Sequence, residues 1–484
     1  MDFTGDAGQI LVHLDLKGAP PRLEYLRTVL PLIKKWGATG LLVEYEDMFP
    51  YQDELCVLAT KFAYSKDDII AFRQLASDNK LTVIPLVQTF GHIEFVLKHS
   101  KFKILREVAH SPMVICPSNP DSLSLVCAMV DQVISAHPGI QWFHIGCDEV
   151  YHLGVCERCK LRMEEENLTP QQLFFHHVKA LALYIRHRYS TVTPIVWDDM
   201  FRLTDTPLLK ESGLGELVEP MVWHYVPTFH LPTNLWEKLS AVFPHVWVAS
   251  AFKGATGTRA CATSVAYHLD NHLTWISTLQ SKQHLFKSVR GIALTGWQRY
   301  DHYAVLCELL PQALPSLGTC LQVIHKGAFS PEVHQSVSTD LGFRSPLPLN
   351  PFACEEIPEC SFPGSRVYQL MIEYAFLAAD CEKTVHNDSN LTWLNDFNVR
   401  RNFTNPVYVQ PIHSSATQKL EQVEEFRKKM SAALIDIFFP DTVEEWLGCH
   451  LQFHLDKLQH LAQSAARQMA LAIDAEEDVL PVND

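Results

Sequence analysis

The feature that most constrains this chain is a recurrence of eight short β-rich runs, most of them apolar on both faces. They are Ile10–Leu14, Gly40–Glu44, Leu81–Val87, Trp142–Gly146, Pro194–Trp197, Glu219–Trp223, Val246–Ala249 and Gly291–Thr295. Runs of this kind are expected of parallel strands covered by helices, and each interval between them can hold a helix. Arg22 to Trp36 places Leu23, Leu26, Leu30 and Ile33 at spacings of three and four, which predicts a helix with one apolar face. Leu123 to Ser135 repeats the pattern after an Asn119-Pro120-Asp121 start signal. Eight strand–helix units predict an α/β fold of the (β/α)8 TIM-barrel type over an open doubly wound sheet, which usually has about five or six strands. No GxGxxG or Walker motif follows any run, so dinucleotide and P-loop chemistry lose their main support.

The pattern changes after the eighth unit. Residues 1–335 are expected to form the catalytic barrel, and 336–365 a linker marked by Pro346, Pro348, Pro351, Pro358 and Pro363. Residues 366–484 are expected to be an α-helical region, with Leu420, Val423 and Phe426 and then Leu451, Leu458 and Leu461 on repeating faces. Glu476, Glu477, Asp478 and Asp484 mark a frayed acidic tail.

Composition narrows the partners. With 40 basic against 55 acidic residues, a net charge of -15 and no Lys/Arg-dense stripe, nucleic acid and anionic membrane are not expected to bind. No apolar run reaches the roughly 18 residues of a membrane helix. The first residues carry Asp2 and Asp6 without a basic cluster, and thiols such as Cys127 sit in apolar contexts. Both features predict a protein of the cytoplasm and nucleus with reduced cysteines. A homo-oligomer is compatible with the composition.

In a TIM barrel the active site lies at the C-terminal ends of the strands. There the sequence places Asp15 and Lys17, Glu44 to Asp47, Gln88 with His92 and Glu94, His144 to Glu149, Trp197-Asp198-Asp199, Trp223-His224-Tyr225 and Gly296 to Asp301. Asp148 and Glu149 are adjacent carboxylates. Facing one cleft, they would push one pKa upward and leave a protonated acid beside an ionised partner, a pairing suited to glycosidic bond cleavage. Alone, such a pair would read as first-turn acids of the next helix. Trp197, Trp223 and Trp297 at the same strand ends reverse that preference, because sugar rings stack on aromatic walls.

His144-Ile145-Gly146-Cys147-Asp148-Glu149 resembles the His-x-Gly-Gly-Asp-Glu signature of the glycoside hydrolase family 20 β-N-acetylhexosaminidases. Trp197-Asp198-Asp199, Gln88 to His92 and Thr295 to Asp301 resemble a divergent branch of that family, over roughly residues 9 to 320. The resemblance implies a retaining exo-enzyme that removes terminal N-acetylgalactosamine or N-acetylglucosamine from glycoconjugates, without cofactor or metal. In that family the substrate's acetamido oxygen is the nucleophile. By similarity Glu149 is the general acid/base and Asp148 orients the acetamido group. His92, Trp197, Trp223, Trp297 and Asp301 shape the sugar subsite, with Tyr225 close to the acetamido group. Two departures stand out: Cys147 replaces the second glycine, and Lys17 or Asp15 stands where lysosomal members place a sugar-binding arginine in strand 1.

A barrel that binds amino sugars without cleaving them is the alternative, and intact Asp148 and Glu149 argue against it. Asp198 and Asp199 with His144 and Glu149 could build a metal site, but metal-binding carboxylates are usually spread more evenly and need no aromatic wall. His144 is expected to support the Asp148 loop. Cys147, His152, Cys156 and Cys159 contain one C-x-x-C element; without a second, ordinary thiols are the expected reading over zinc ligands.

Overall fold

All eight apolar runs form strands in the computed structural model, which describes residues 8–353 and 356–477. They are β1 Gln9–Asp15, β2 Gly40–Glu44, β3 Thr82–Leu86, β4 Trp142–His144, β5 Thr193–Trp197, β6 Glu219–Trp223, β7 His245–Lys253 and β8 Ser288–Gly296. The strands pair in parallel and close as β1-β8-β7-β6-β5-β4-β3-β2, the expected TIM barrel. Inward side chains pack its interior, among them Leu11, Leu42, Leu86, Ile195, Met221, Trp247 and Ala293, so the barrel is a filled core and its chemistry must sit at one end.

Helices fill the intervals. The first spans Leu23–Lys35, and the one after Asn119 runs over Pro120–Ala136, where the Asn119 side chain accepts the Asp121 N–H as an N-cap. One insertion is not apparent in the hydrophobic pattern: between β3 and β4, Arg106–Val108 and Ser111–Ile115 form a small antiparallel hairpin. Ile93 N–H donates to Met113 O, and Ile115 N–H to Phe90 O, which seats the hairpin against the loop leaving β3. β4 is the shortest barrel strand and pairs with β3 only at His144 and Leu86.

The chain divides into two compact units, residues 1–365 and 366–484. In the first, a helix over Pro331–Asp340 precedes a stretch in which Leu341, Phe343, Leu347 and Phe362 are buried. The second is helical, with its longest helices at Ser365–Val385, Pro406–Ile435 and Gln452–Glu477, and Tyr374 donates to His450 O at 2.9 Å. The leading residues behind the location expectation and most of the acidic tail lie outside the described residues. Among the described residues no helix is long and apolar enough to cross a membrane.

At the N-terminal end of the barrel, Glu219 opens β6 and ties three strands together. Its Oε2 accepts Trp247 Nε1–H at 2.8 Å, and its Oε1 accepts Arg290 Nε–H and Nη2–H at 2.9 and 2.8 Å. Glu219→Ala should lower unfolding stability by about 2–3 kcal/mol, because a buried indole N–H and a half-buried guanidinium lose their acceptor. Glu219→Gln, which keeps an acceptor, should cost less. Urea denaturation of the two variants measures the difference, and both should retain the wild-type KM, since the site lies at the opposite end.

Candidate active site

The backbone leaving β4 is held in an unfavourable conformation. Gly146 has φ +66°, Cys147 +68° and Glu149 +49°. A side chain in this left-handed region costs roughly 1–2 kcal/mol, so neighbouring groups must hold the turn. Gly146 N–H donates to His144 Nδ1 at 3.0 Å, and Glu149 N–H donates to Asp199 Oδ2 at 2.9 Å. Cys147 Sγ lies 3.3 Å from Thr89 Oγ1, which itself donates to Ile145 O. Gly146 admits no side chain, because a Cβ there would meet Gln88 Oε1 at 1.9 Å; at Gly91 it would meet Asp148 O at 2.2 Å. His144 is buried and pressed against Trp197, with ring centroids 4.4 Å apart, and burial lowers its pKa to about 3. It is a neutral acceptor that holds the turn.

This turn sends the two carboxylates into different surroundings. The Asp148 side chain is 13% exposed and that of Glu149 34%. His92, also at positive φ, lies between them, its Nε2 3.0 Å from Glu149 Oε2 and 3.6 Å from Asp148 Oδ2. Burial opposes the charge on His92, but the adjacent Asp148 and the hydrogen-bonded Glu149 outweigh it and raise the imidazole to about 10. Its hydrogen bond in turn holds Glu149 below the usual carboxylate range, aided by Tyr151 OH, which donates to Oε1 at 3.1 Å. Asp148 is the member pushed up, chiefly by burial. Burial, followed by the charge of Asp148, raises Asp199 to about 7. In the free protein the proton near Glu149 therefore resides on His92, a distribution that adjacency in sequence does not reveal.

Every residue expected at the site lines one cavity of about 330 Å³: Asp148, Glu149, His92, Trp197, Trp223, Tyr225, Trp297 and Asp301. Trp197 is 1% exposed and belongs to the barrel core, so it forms the floor and not the rim. Trp223 and Tyr225 stack at 5.1 Å and 21°, and Tyr225 meets Trp297 at 6.2 Å and 64°. Asp301 accepts the Tyr303 and Ala304 N–H groups, which shapes the rim. Asp148 Oδ1 and Trp197 Nε1 are buried with no partner among the described residues.

The two aspartates that end β5 divide their work. Asp198 binds Arg202 through both oxygens, at 2.7 and 2.8 Å, while Asp199 accepts Glu149 N–H and Trp223 Nε1–H. Together they lock Trp223 and the acidic turn to one another. Lys17 reaches the cavity, but its ammonium is shared among Asp15 at 2.9 Å, Glu44 at 3.2 Å and Glu46 at 3.8 Å. Asp15 also accepts Gln298 N–H at 2.7 Å and is thereby committed to the structure. Glu94, raised by burial to about 7, also lines the cavity; its place after His92 is the only sequence signal it leaves. Of the cysteines weighed together, Cys147 stands apart in the acidic turn and His152 is exposed, whereas Cys156 and Cys159 meet Cys116.

Comparison with known proteins agrees with this geometry. Residues 30–227 match the family model for the glycosyl hydrolase family 20 catalytic domain. The chain is 43% identical over 465 residues to Hexosaminidase D of Homo sapiens, spanning 95% of each chain. It is 48% identical over 338 residues to Hexosaminidase D of Bos taurus, covering 69% of this chain and 97% of the relative. A crystal structure of a β-N-acetylhexosaminidase from Bacteroides fragilis shares the fold, with a TM-score of 0.52 and 15% identity over 69% of this chain and 70% of that one. The acidic turn, the aromatic-lined barrel mouth and a relative similar over nearly the full length identify the chain as a member of glycoside hydrolase family 20, the β-N-acetylhexosaminidase family.

Proposed function

We propose that this β-N-acetylhexosaminidase removes a single terminal N-acetylgalactosamine or N-acetylglucosamine from a glycoconjugate, with Asp148, Glu149 and His92 carrying the chemistry. The observation that supports it most is Asp148 Oδ1, a buried acceptor without a partner among the described residues, beside a half-exposed Glu149 and under an aromatic wall. The cavity of about 330 Å³ is at the small end of ligand pockets, about 300–1,000 Å³, which suits one sugar residue and exo-action. The sugar stacks on the Trp223, Tyr225 and Trp297 walls above Trp197.

The acetamido oxygen attacks the anomeric carbon as the bond to the leaving oxygen breaks, giving an oxazolinium ion. Asp148 accepts the acetamido N–H and balances the positive charge that develops. The leaving oxygen takes the single proton of the His92–Glu149 pair, which passes from His92 along the hydrogen bond to Glu149 and from Glu149 to the departing oxygen. Water then attacks the same carbon from the face that the leaving group vacated and returns a proton to Glu149, so configuration is retained. No cofactor enters this scheme. We further place the protein in the cytoplasm and nucleus, a reading supported by the free thiols among the described cysteines.

Two experiments test the roles. Glu149→Gln should cripple hydrolysis of an unactivated disaccharide while sparing the first step on an aryl glycoside with a good leaving group. Asp148→Asn should depress both by a similar factor, on the order of 10²–10³. Comparing kcat/KM on the two substrates decides, and the opposite pattern reverses the assignment.

The pH profile is the second test. Asp148 must be ionised, and the His92–Glu149 pair must hold one proton. As pH falls, the raised Asp148 takes up a proton, and Asp199 takes up one at about 7, so the rate should fall on the acid side. As pH rises, the pair keeps its proton until His92 titrates at about 10, so the rate should persist into mildly alkaline solution. In His92→Gln the proton must sit on Glu149 alone. The alkaline limb then moves to lower pH, and disaccharide turnover in mild alkali should fall by about 10²-fold. An unmoved limb removes His92 from the proton path.

A further inference from the structure

Outside the cavity, Glu107, Cys116, Cys156 and Cys159 converge so that one donor atom from each lies within 4.8 Å of every other. They come from three places: the first hairpin strand, the residue after the second, and the start of the helix Glu157–Glu166. Cys116 Sγ is 3.4 Å from Cys156 Sγ and 3.6 Å from Cys159 Sγ, and Glu107 Oε2 is 3.1 Å from Cys159 Sγ. A tetrahedral ion bound to sulfur at about 2.3 Å has S···S edges of about 3.8 Å. The two sulfur–sulfur distances from Cys116 are thus within a few tenths of an ångström of such edges.

The surroundings fit that use. Glu107 is 2% exposed, and no Lys, Arg or His lies within ion-pair distance of it among the described residues. A buried carboxylate without a cation is costly. Its Oε1 accepts Val155 N–H and Cys156 N–H at 2.7 and 3.0 Å, leaving Oε2 turned to the thiols. Cys156 Sγ accepts Cys159 N–H at 3.3 Å, so the C-x-x-C turn already supplies backbone support to a sulfur. The other acid and histidine cluster, Glu46, Asp47 and His302, differs because it encloses the Lys98 ammonium, 2.9 Å from Asp47 and 2.8 Å from His302.

The geometry points to a structural zinc site formed by Glu107, Cys116, Cys156 and Cys159, which cross-links the loops that carry His92 and Glu149. The hairpin is bonded to the loop leaving β3, where His92 sits, through Phe90 O and Ile93 N–H. Cys156 and Cys159 close the segment that begins at Asp148 and Glu149. An ion between them fixes the far end of the acidic turn relative to the histidine. Zinc binds the thiolates and carboxylate, and the thiol protons pass to solvent.

The test uses the full-length protein, purified without chelator, and zinc itself. Elemental analysis should find one zinc per chain, and X-ray absorption should show three sulfur neighbours and one oxygen. Cobalt(II) put in its place should give thiolate-to-metal charge-transfer bands. Cys116→Ser and Cys159→Ser should each lose the metal, while Glu107→Gln should keep the sulfur spectrum with affinity weakened by about 10-fold or more. Stripping zinc should speed amide hydrogen exchange over residues 106–116 and 147–159. The site is refuted if wild-type protein takes up no zinc or cobalt on titration. A Cys116–Cys156 disulfide in peptides from freshly alkylated protein, or zinc retained by Cys116→Ser, refutes it equally.

Discussion

The chain leaves β4 through Gly146, Cys147 and Glu149 in left-handed backbone, and the site depends on that turn being held. An ordinary strand-to-helix passage would put consecutive side chains on a common surface. Here the turn buries Asp148 beside the aromatic floor and leaves Glu149 half exposed, close enough for one imidazole to reach both. Asp199 is the main clamp, since it takes Glu149 N–H on one oxygen and Trp223 Nε1–H on the other. Trp223 and the acidic turn are therefore positioned by the same carboxylate. Cys147 stands where the family signature has glycine, and at φ +68° it tolerates that geometry only because Thr89 and the close packing around it leave no alternative.

Much of the barrel was legible because a parallel strand buried on both faces has a distinctive apolar run, and eight of them at helix-length intervals leave few other folds. Boundaries were less so. β4 stops at His144, where the run to Gly146 suggested more, because the His144 ring is spent on accepting Gly146 N–H and the chain turns there. The hairpin Arg106–Ile115 leaves little trace in the hydrophobic pattern because its strands are short, with Pro112 inside one of them and residues of mixed polarity. The strand ends do bring the expected residues together, since every one of them lines one cavity. Electrostatic character leaves no such signal: which carboxylate is raised depends on burial and on His92, which lies far from Asp148 in sequence. For the same reason the cysteine grouping needed Glu107 and Cys116, which no local spacing links to the C-x-x-C pair.

The lower half of the site is built from charges that water does not reach. Lys17 sits among Asp15, Glu44 and Glu46, and His13 Nε2 meets Glu44 at 3.1 Å. Each ion so placed costs several kcal/mol of desolvation, and the network is worth keeping only if every member is partnered. Burial is the largest influence on Glu44, yet Lys17 and His13 reverse it and bring the carboxyl down to about 2. Burial wins at Glu46, whose neighbours Glu44 and Asp47 add repulsion to it. Such an arrangement is a poor source of stability and a good source of rigidity, because moving any member strands another. It puts the cavity wall at the ends of β1 and β2 on a fixed polar base.

The two ends of the barrel accordingly use carboxylates in different ways. Glu219 at the N-terminal end satisfies an indole and a guanidinium, and that hydrogen bonding is its whole contribution. At the C-terminal end Asp148 keeps one oxygen without a partner among the described residues, although an unpaired buried acceptor costs about 1–3 kcal/mol. A fold tolerates such an orphan where a ligand supplies the missing donor, and an acetamido N–H is a donor of the right kind. Under the proposed mechanism the interaction is made with the substrate and strengthens as positive charge develops, which is where binding energy lowers a barrier and does not merely tighten a complex.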